Sequence, residues 1–158
     1  MAVQQHAARA DLKDANPKIY PLMQQFGAYL ETSSIDANLR HLIKIRASQI
    51  NGCAFCLDMH LQEARHAGIS QERLDLLSVW REAPYFSDAE RAALELTEAV
   101  TLIAKAGVPD ALYARVREHF TNEQFIDLLT TINVINSWNR YTIAMQRPVP
   151  IRAGSGAS

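Results

Sequence analysis

The sequence predicts an all-α, single-domain helical bundle. Apolar residues recur at helical spacing through most of the chain, and no segment alternates apolar and polar residues as a half-buried strand does. N-capping signatures stand immediately before several of the apolar runs. Glycine supplies only 6 of 158 residues, and no Gly-rich phosphate-binding loop occurs.

Residues 1–16 are polar and Ala-rich and read as an N-terminal arm or frayed helix. Pro17 opens a segment from Ile19 to Glu31 in which Ile19, Leu22, Met23, Phe26 and Leu30 share helical spacing. Thr32-Ser33-Ser34 interrupts it, and Asp36 begins a second helix carrying Leu39, Leu42, Ile43, Ile45 and Arg46. Ser48 to Gly52 reads as a break, and Cys53 to Ala67 as a further helix stopped by Gly68. Ser70 caps a short segment with Leu74 and Leu77, and Pro84 breaks the connector from Trp80 to Phe86. Ser87 and Glu90 form a capping box that opens a helix running to about Lys105. Pro109 suits a first helical position for a helix ending at Phe120. Thr121 and Gln124 form a second capping box for a long apolar helix through Phe125, Ile132, Ile135, Trp138 and Tyr141. That helix is apolar on more than one side, as expected of a central helix or one buried against another subunit. Asn133 and Asn136 within it need hydrogen-bond partners if buried. Pro148 and Pro150 end it, and residues 148–158 are expected to form a flexible tail.

A chain of 158 residues with 48% apolar and 21% charged residues can bury one core without covalent staples. The net charge of −1 gives no field that points to nucleic acid or an anionic membrane. No apolar run approaches a membrane span, and Met1 to Lys13 lacks the apolar core of a signal peptide. A cytoplasmic location is the default expectation. In that reducing compartment a Cys-x-x-Cys pair is more often redox-active or metal-binding than structural.

The two cysteines of the chain are Cys53 and Cys56, and His60 follows. At roughly 100° per residue, Cys53, Cys56 and His60 fall at about 0°, −60° and −20° on a helix. They share one face, with Cys56 and His60 in the i,i+4 relation at which side chains meet. Both cysteines are placed in the first turn, where the helix dipole and free N–H groups favour a thiolate. Thiol redox chemistry therefore leads, beside three plainer uses. The cysteines can be small buried apolar groups, a structural disulfide closing a very short loop, or half of a zinc site with His60 and His41.

Other residues carry weaker signals. Trp138, Asn139 and Arg140 either line a site or interface or, for Trp138, pack the core. Arg46 is either salt-bridged or a substrate-anion ligand. Glu63 reads first as an exposed helix residue, and His66 and His119 as surface or helix-end histidines.

The stretch LIKIRASQINGCAFCLDMHLQEARHAG, Leu42 to Gly68, closely resembles the core of the AhpD-like alkylhydroperoxidases of the carboxymuconolactone decarboxylase superfamily. Trp80 to Ile103 and Ile132 to Ala144 resemble later segments of that group, so the likeness spans roughly residues 17–147, the AhpD-like helical domain. The resemblance implies an all-α fold assembled as a homotrimer or homohexamer. It implies hydroperoxide reduction with Cys56 as the peroxidatic cysteine, Cys53 as the resolving cysteine and His60 as the proton relay. It also implies a hydroperoxide substrate, a dithiol reductant or redox partner protein, and no metal or organic cofactor. Cys53 is expected to be the point of entry for the dithiol. The group's relay usually includes a glutamate at the position of His41, and its best-known members carry a histidine where this chain has Phe55. A second imidazole orients and activates a histidine less than a carboxylate does. Peroxide turnover is therefore expected to be weak unless His41, or Glu63 in its place, serves the relay. The remaining alternatives are a redox adaptor that exchanges disulfides without meeting peroxide, and a non-redox lactone-decarboxylase-like enzyme.

Overall fold

The computed structural model describes residues 7–152. The helices are α1 (Leu12–Ala15), α2 (Ile19–Glu31), α3 (Ala37–Asn51), α4 (Ala54–His66), α5 (Gln71–Asp75), α6 (Asp88–Thr101), α7 (Ile103–Ala106), α8 (Asp110–His119) and α9 (Asn122–Ala144), with a 3₁₀ turn at Leu77–Val79. No strand occurs among the described residues.

Local chemistry sets most of these boundaries. The side chains of Asp36, Ser70, Ser87 and Thr121 each accept a hydrogen bond from a backbone N–H of the following first turn. Both expected capping boxes are complete, Glu90 and Gln124 bonding back to the cap N–H. Other boundaries differ from expectation by a few residues. Pro109 is the N-cap of α8 rather than its first residue. The helix from Ser87 stops at Thr101, Leu102 breaks it, and α7 follows as a single turn. The break expected from Ser48 narrows to Gly52, because α3 holds its hydrogen bonding through Asn51.

α3 is the hub, and it buries two faces. Leu39 and Ile43 pack with Ala93 and Leu96 of α6, Val116 of α8, and Leu128 and Ile132 of α9. Leu42 and Ile45 face a second cluster that includes Leu74, Leu77, Trp80, Phe86 and Leu94. Truncating a buried leucine or isoleucine of this kind costs roughly 2–5 kcal/mol. Glu98 gathers several polar groups at the edge of this core. Glu98 accepts from Arg46 Nε at 2.8 Å, from Trp80 Nε1 at 2.9 Å and from Arg81 Nη1 at 2.7 Å. Arg46 is thus a structural ion-pair residue and does not line the pocket at the cysteines.

The outer faces are less settled. Leu22, Phe26 and Tyr29 of α2 lie at i, i+4 and i+7, and all are about half exposed (53%, 52% and 51%). Only Leu30 of that helix is buried. On α9, Ile126 and Ile143 are exposed, and so is Asn133, which therefore needs no partner inside the bundle. Asn136 is the buried asparagine of the pair. Residues 1–6 and 153–158, which hold the start of the expected arm and the end of the expected tail, lie outside the described residues. The described part of the tail returns to the bundle. The Arg152 guanidinium donates twice to the Asp58 carboxylate, at 2.9 and 2.5 Å. No described helix is long and apolar enough to cross a membrane.

Candidate active site

The α3–α4 junction presents the cysteines. Gly52 takes φ +71°, a left-handed conformation that glycine adopts without steric cost. Its N–H donates to the Gln49 carbonyl at 3.3 Å and the Cys53 N–H to the Ser48 carbonyl at 3.0 Å. This paired closure of the helix end is the Schellman arrangement. It delivers Cys53 as the N-cap of α4, with the Cys56 N–H donating to Cys53 Sγ at 3.3 Å. Cys53 therefore precedes the first turn rather than lying within it, while Cys56 sits at the third helical position. The two cysteines form a disulfide with Cα atoms 5.4 Å apart.

A polar network holds this junction from behind. Asn51 Nδ2 donates to Asn136 Oδ1 at 2.8 Å and to Asn139 Oδ1 at 2.9 Å. Asn139 Nδ2 donates to Ser48 Oγ at 3.0 Å, and Asn136 Nδ2 to Thr101 Oγ1 at 3.0 Å. Ser48, Asn136 and Asn139 are all buried. The network ties the end of α3 to α9 and, through Asn136, to α6.

The front is different. Cys56 and His60 line a pocket of about 210 Å³ between α2, α3, α4 and α9. Its walls include Leu30, Met59, Val134, Ile135 and Trp138. Trp138 thus lines the site, one of its two expected uses. Of its neighbours, Asn139 serves the rear network, and Arg140 donates to Asn136 Oδ1 at 3.1 Å. Cys53 does not line the pocket. Both sulfur residues are buried, Cys53 at 1% and Cys56 at 2%, so the expected entry of a dithiol at Cys53 finds no exposed sulfur there.

His60 Nδ1 lies 2.7 Å from Glu63 Oε2, one turn further along α4. A carboxylate at that nitrogen selects the Nδ1–H tautomer and leaves Nε2 with its lone pair. The hydrogen bond from His60 holds the Glu63 carboxyl below its ordinary value, against the opposing effect of burial. His41 behaves otherwise. It is half-buried and its Nδ1 is buried without a hydrogen-bond partner. Burial first, and then the Lys44 ammonium, push its pKa below the usual histidine value. His41 is within electrostatic reach of His60 and Glu63 but bonds to neither. The carboxylate hydrogen-bonded to His60 is thus Glu63, on the same helix, and His41 makes no such bond. His66 and His119 sit at helix ends, as expected. Among the described residues, no group of three or more His, Cys, Asp or Glu is arranged to hold a metal.

Two contributors were not marked by the sequence. Lys44 of α3 and Arg147, beyond α9, both line the pocket, and the Arg147 guanidinium lies 4.1 Å from the centroid of the Phe55 ring. Spacing on α4 already offers Glu63 as a partner for His60, but nothing local marks the return of Arg147.

Fold and site together define a helical protein with a Cys-x-x-Cys disulfide at a helix N-terminus and a histidine–carboxylate pair one turn on. The chain belongs to the carboxymuconolactone decarboxylase family, whose model matches residues 17–99, and it has the AhpD-like fold. It is 49% identical over 137 residues to the uncharacterized protein YdfG of Bacillus subtilis, covering 87% of this chain and 93% of the relative. It is 34% identical to the uncharacterized protein YnjA of Escherichia coli, covering 84% of this chain and 73% of that one. A crystal structure of a protein of unknown function from Agrobacterium tumefaciens, provisionally assigned as an antioxidant defence AhpD protein, superposes with a TM-score of 0.89 at 39% identity, over 92% of this chain and all of that one (100%).

Proposed function

We propose that the protein is a thiol-dependent peroxidase that reduces organic hydroperoxides through the Cys53–Cys56 pair. The observation that carries this reading is that Cys56 lines the pocket beside a His60 already paired with Glu63, while Cys53 does not line it. In the reduced protein His60 takes the Cys56 proton, and the thiolate attacks the terminal peroxide oxygen. The O–O bond breaks, the alkoxide leaves with the proton held by His60, and Cys56 becomes a sulfenic acid. The Cys53 thiol displaces water from that sulfenic acid and forms the disulfide. A dithiol reductant then exchanges with the disulfide, becoming oxidised and restoring both thiols. A positioned base of this kind contributes roughly 10²- to 10⁴-fold to such a step.

The exposed apolar stripe of Leu22, Phe26 and Tyr29 supports assembly with further copies of the chain, as a homotrimer or homohexamer. Light scattering then reads a mass well above the 17.7 kDa protomer. A reducing, cytoplasmic setting suits a disulfide that must be reopened each cycle.

Mixing the fully reduced protein with cumene hydroperoxide tests the reading. One disulfide per protomer should form as one hydroperoxide is consumed, and Cys56→Ser should consume none. Disulfide exchange with a dithiol but no reaction with any hydroperoxide would favour a redox adaptor. Lactone decarboxylation undiminished in Cys53→Ser and Cys56→Ser would favour a non-redox enzyme.

A further inference from the structure

Charge at the pocket is one-sided. Its lining includes the cations Lys44 and Arg147, and no aspartate or glutamate. The Arg147 guanidinium stacks on Phe55 and has no carboxylate partner among the described residues. Lys44 has one ion pair, with Glu31 at 3.9 Å, and that carboxylate is 63% exposed; Glu63 is within electrostatic reach of Lys44 but makes no ion pair with it. An exposed pair at that length is screened by water and contributes little. Around these cations the walls are apolar, and low-dielectric walls concentrate the field of a single-signed cleft.

Arg147 is also placed by the backbone. Gln146 adopts φ +54°, uncommon for a residue with a side chain. This lets the Gln146 N–H donate to the Ile143 carbonyl at 3.0 Å and the Arg147 N–H to the Thr142 carbonyl at 3.1 Å, closing the end of α9. The chain therefore reverses at Gln146 and sends Arg147 back over Phe55, the residue directly before Cys56. Further on, Arg152 ties the same segment to Asp58 of α4. A guanidinium held on an aromatic face by a closed turn has lost much of its freedom before any ligand arrives, and its planar fork matches a carboxylate.

We propose that this pocket selects hydroperoxides that carry a carboxylate on an apolar body. The carboxylate is held by Arg147 with Lys44, the body lies against Trp138, Val134 and Met59, and the peroxide group reaches Cys56. This selectivity rests on the peroxidase reading; the anion site itself does not. Only the peroxide O–O bond is broken, and the ligand leaves as the corresponding hydroxy acid while Cys56 takes up one oxygen.

The probes are cumene hydroperoxide bearing a para-carboxylate and the methyl ester of the same compound, which differ in charge and little in shape. Second-order rates of Cys56 oxidation are read on the reduced full chain by quenching, alkylation and mass spectrometry. The carboxylate should react about tenfold faster or more, the scale of one hydrogen-bonded charge pair, and the ratio should shrink with added salt. Arg147→Gln should bring the ratio close to one, Arg147→Lys should retain part of it, and thermal melts of both variants report whether they fold. Equal rates for the two probes in wild type would overturn the proposal. A binding measurement separates the two readings. The protein in its disulfide form is titrated with para-isopropylbenzoate and with para-isopropylbenzamide, followed by calorimetry. Tighter binding of the benzoate, lost in Arg147→Gln, upholds the anion site. If no hydroperoxide then oxidises Cys56, it is the peroxidase reading that fails. Equal or absent binding of the two probes overturns the anion site, whatever the hydroperoxides do.

Discussion

The two sides of the cysteine turn are built on opposite principles. Behind it, Ser48, Asn51, Asn136, Asn139 and Thr101 bond to one another in a buried layer between α3, α6 and α9. In front, His60, Lys44 and Arg147 line an apolar pocket, with Glu63 bonded to His60 behind it, and neither Lys44 nor Arg147 has a close carboxylate partner among the described residues. The rear side spends its polar groups on fixing backbone. The front side keeps them available to a ligand or a proton. Cys53 belongs to the rear as the cap of α4, and Cys56 to the front as a pocket residue. Substitutions behind the turn should therefore cost stability, and substitutions in front should cost rate.

The largest stability effect is expected from Asn139→Leu. It removes an acceptor from Asn51 and a donor from Ser48 inside the bundle. Leaving such groups short costs about 2 kcal/mol, or roughly 4–8 °C in Tm for a chain of this size. A melt within about 1 °C of wild type, which is near the effect of an ordinary surface change, would break the contrast between the two sides.

Gly52→Ala follows. An added Cβ meets nothing within 4 Å, so the cost comes from the φ of +71° alone. Forcing an L-residue into that conformation costs about 1–2 kcal/mol, read as a fall in the urea midpoint with an unchanged m-value.

In front, Glu63→Gln should slow Cys56 oxidation about tenfold, the low end for the partner of a working histidine in metal sites, with a change in stability under about 0.5 kcal/mol. His41→Glu should alter that rate by less than about threefold, well short of a second-shell effect, because His60 already has its carboxylate. A large gain from His41→Glu with no loss from Glu63→Gln would move the relay back to position 41.

The smallest effects are in pH. The folded pKa of His41 is lowered by burial, so the unfolded chain takes up its proton first as pH falls. Stability is unaffected by this group well above the ordinary histidine value and declines as pH drops below it. Glu63 has a lowered folded pKa, so its contribution is complete above the ordinary carboxylate value and is lost as pH falls through the folded one. Urea midpoints measured across pH should show a shallow decline starting in the histidine range, absent in His41→Gln, and a steeper one in the carboxylate range, reduced in Glu63→Gln.

What the sequence made legible was local. Capping at Asp36, Ser70, Ser87 and Thr121 depends on residues within one turn, and all four caps form. The Cys53–Cys56–His60 spacing is likewise a property of one helix. What was not legible depends on distance. Asn133 and Asn136 look alike in sequence, and only the position of α6 and α3 beside α9 decides that Asn136 is buried. The spacing of Leu22, Phe26 and Leu30 marks a helix but not what covers it, and a single protomer buries Leu30 while leaving Leu22 and Phe26 half exposed. Arg147 follows the last helix and joins the site only because Gln146 reverses the chain.

The division between the two cysteines is tested most directly by trapping the sulfenic acid. Helix capping favours a thiolate on Cys53, while the pocket and His60 favour attack by Cys56. Reduced Cys53→Ser and Cys56→Ser variants are each treated with cumene hydroperoxide in the presence of dimedone, and the adduct is quantified by peptide mass spectrometry. The expected result is rapid, near-complete labelling of Cys56 in Cys53→Ser and at most slow labelling of Cys53 in Cys56→Ser. Equal or faster labelling of Cys53 would contradict the assignment and make the helix cap, rather than the His60–Glu63 pair, the source of the reactive thiolate.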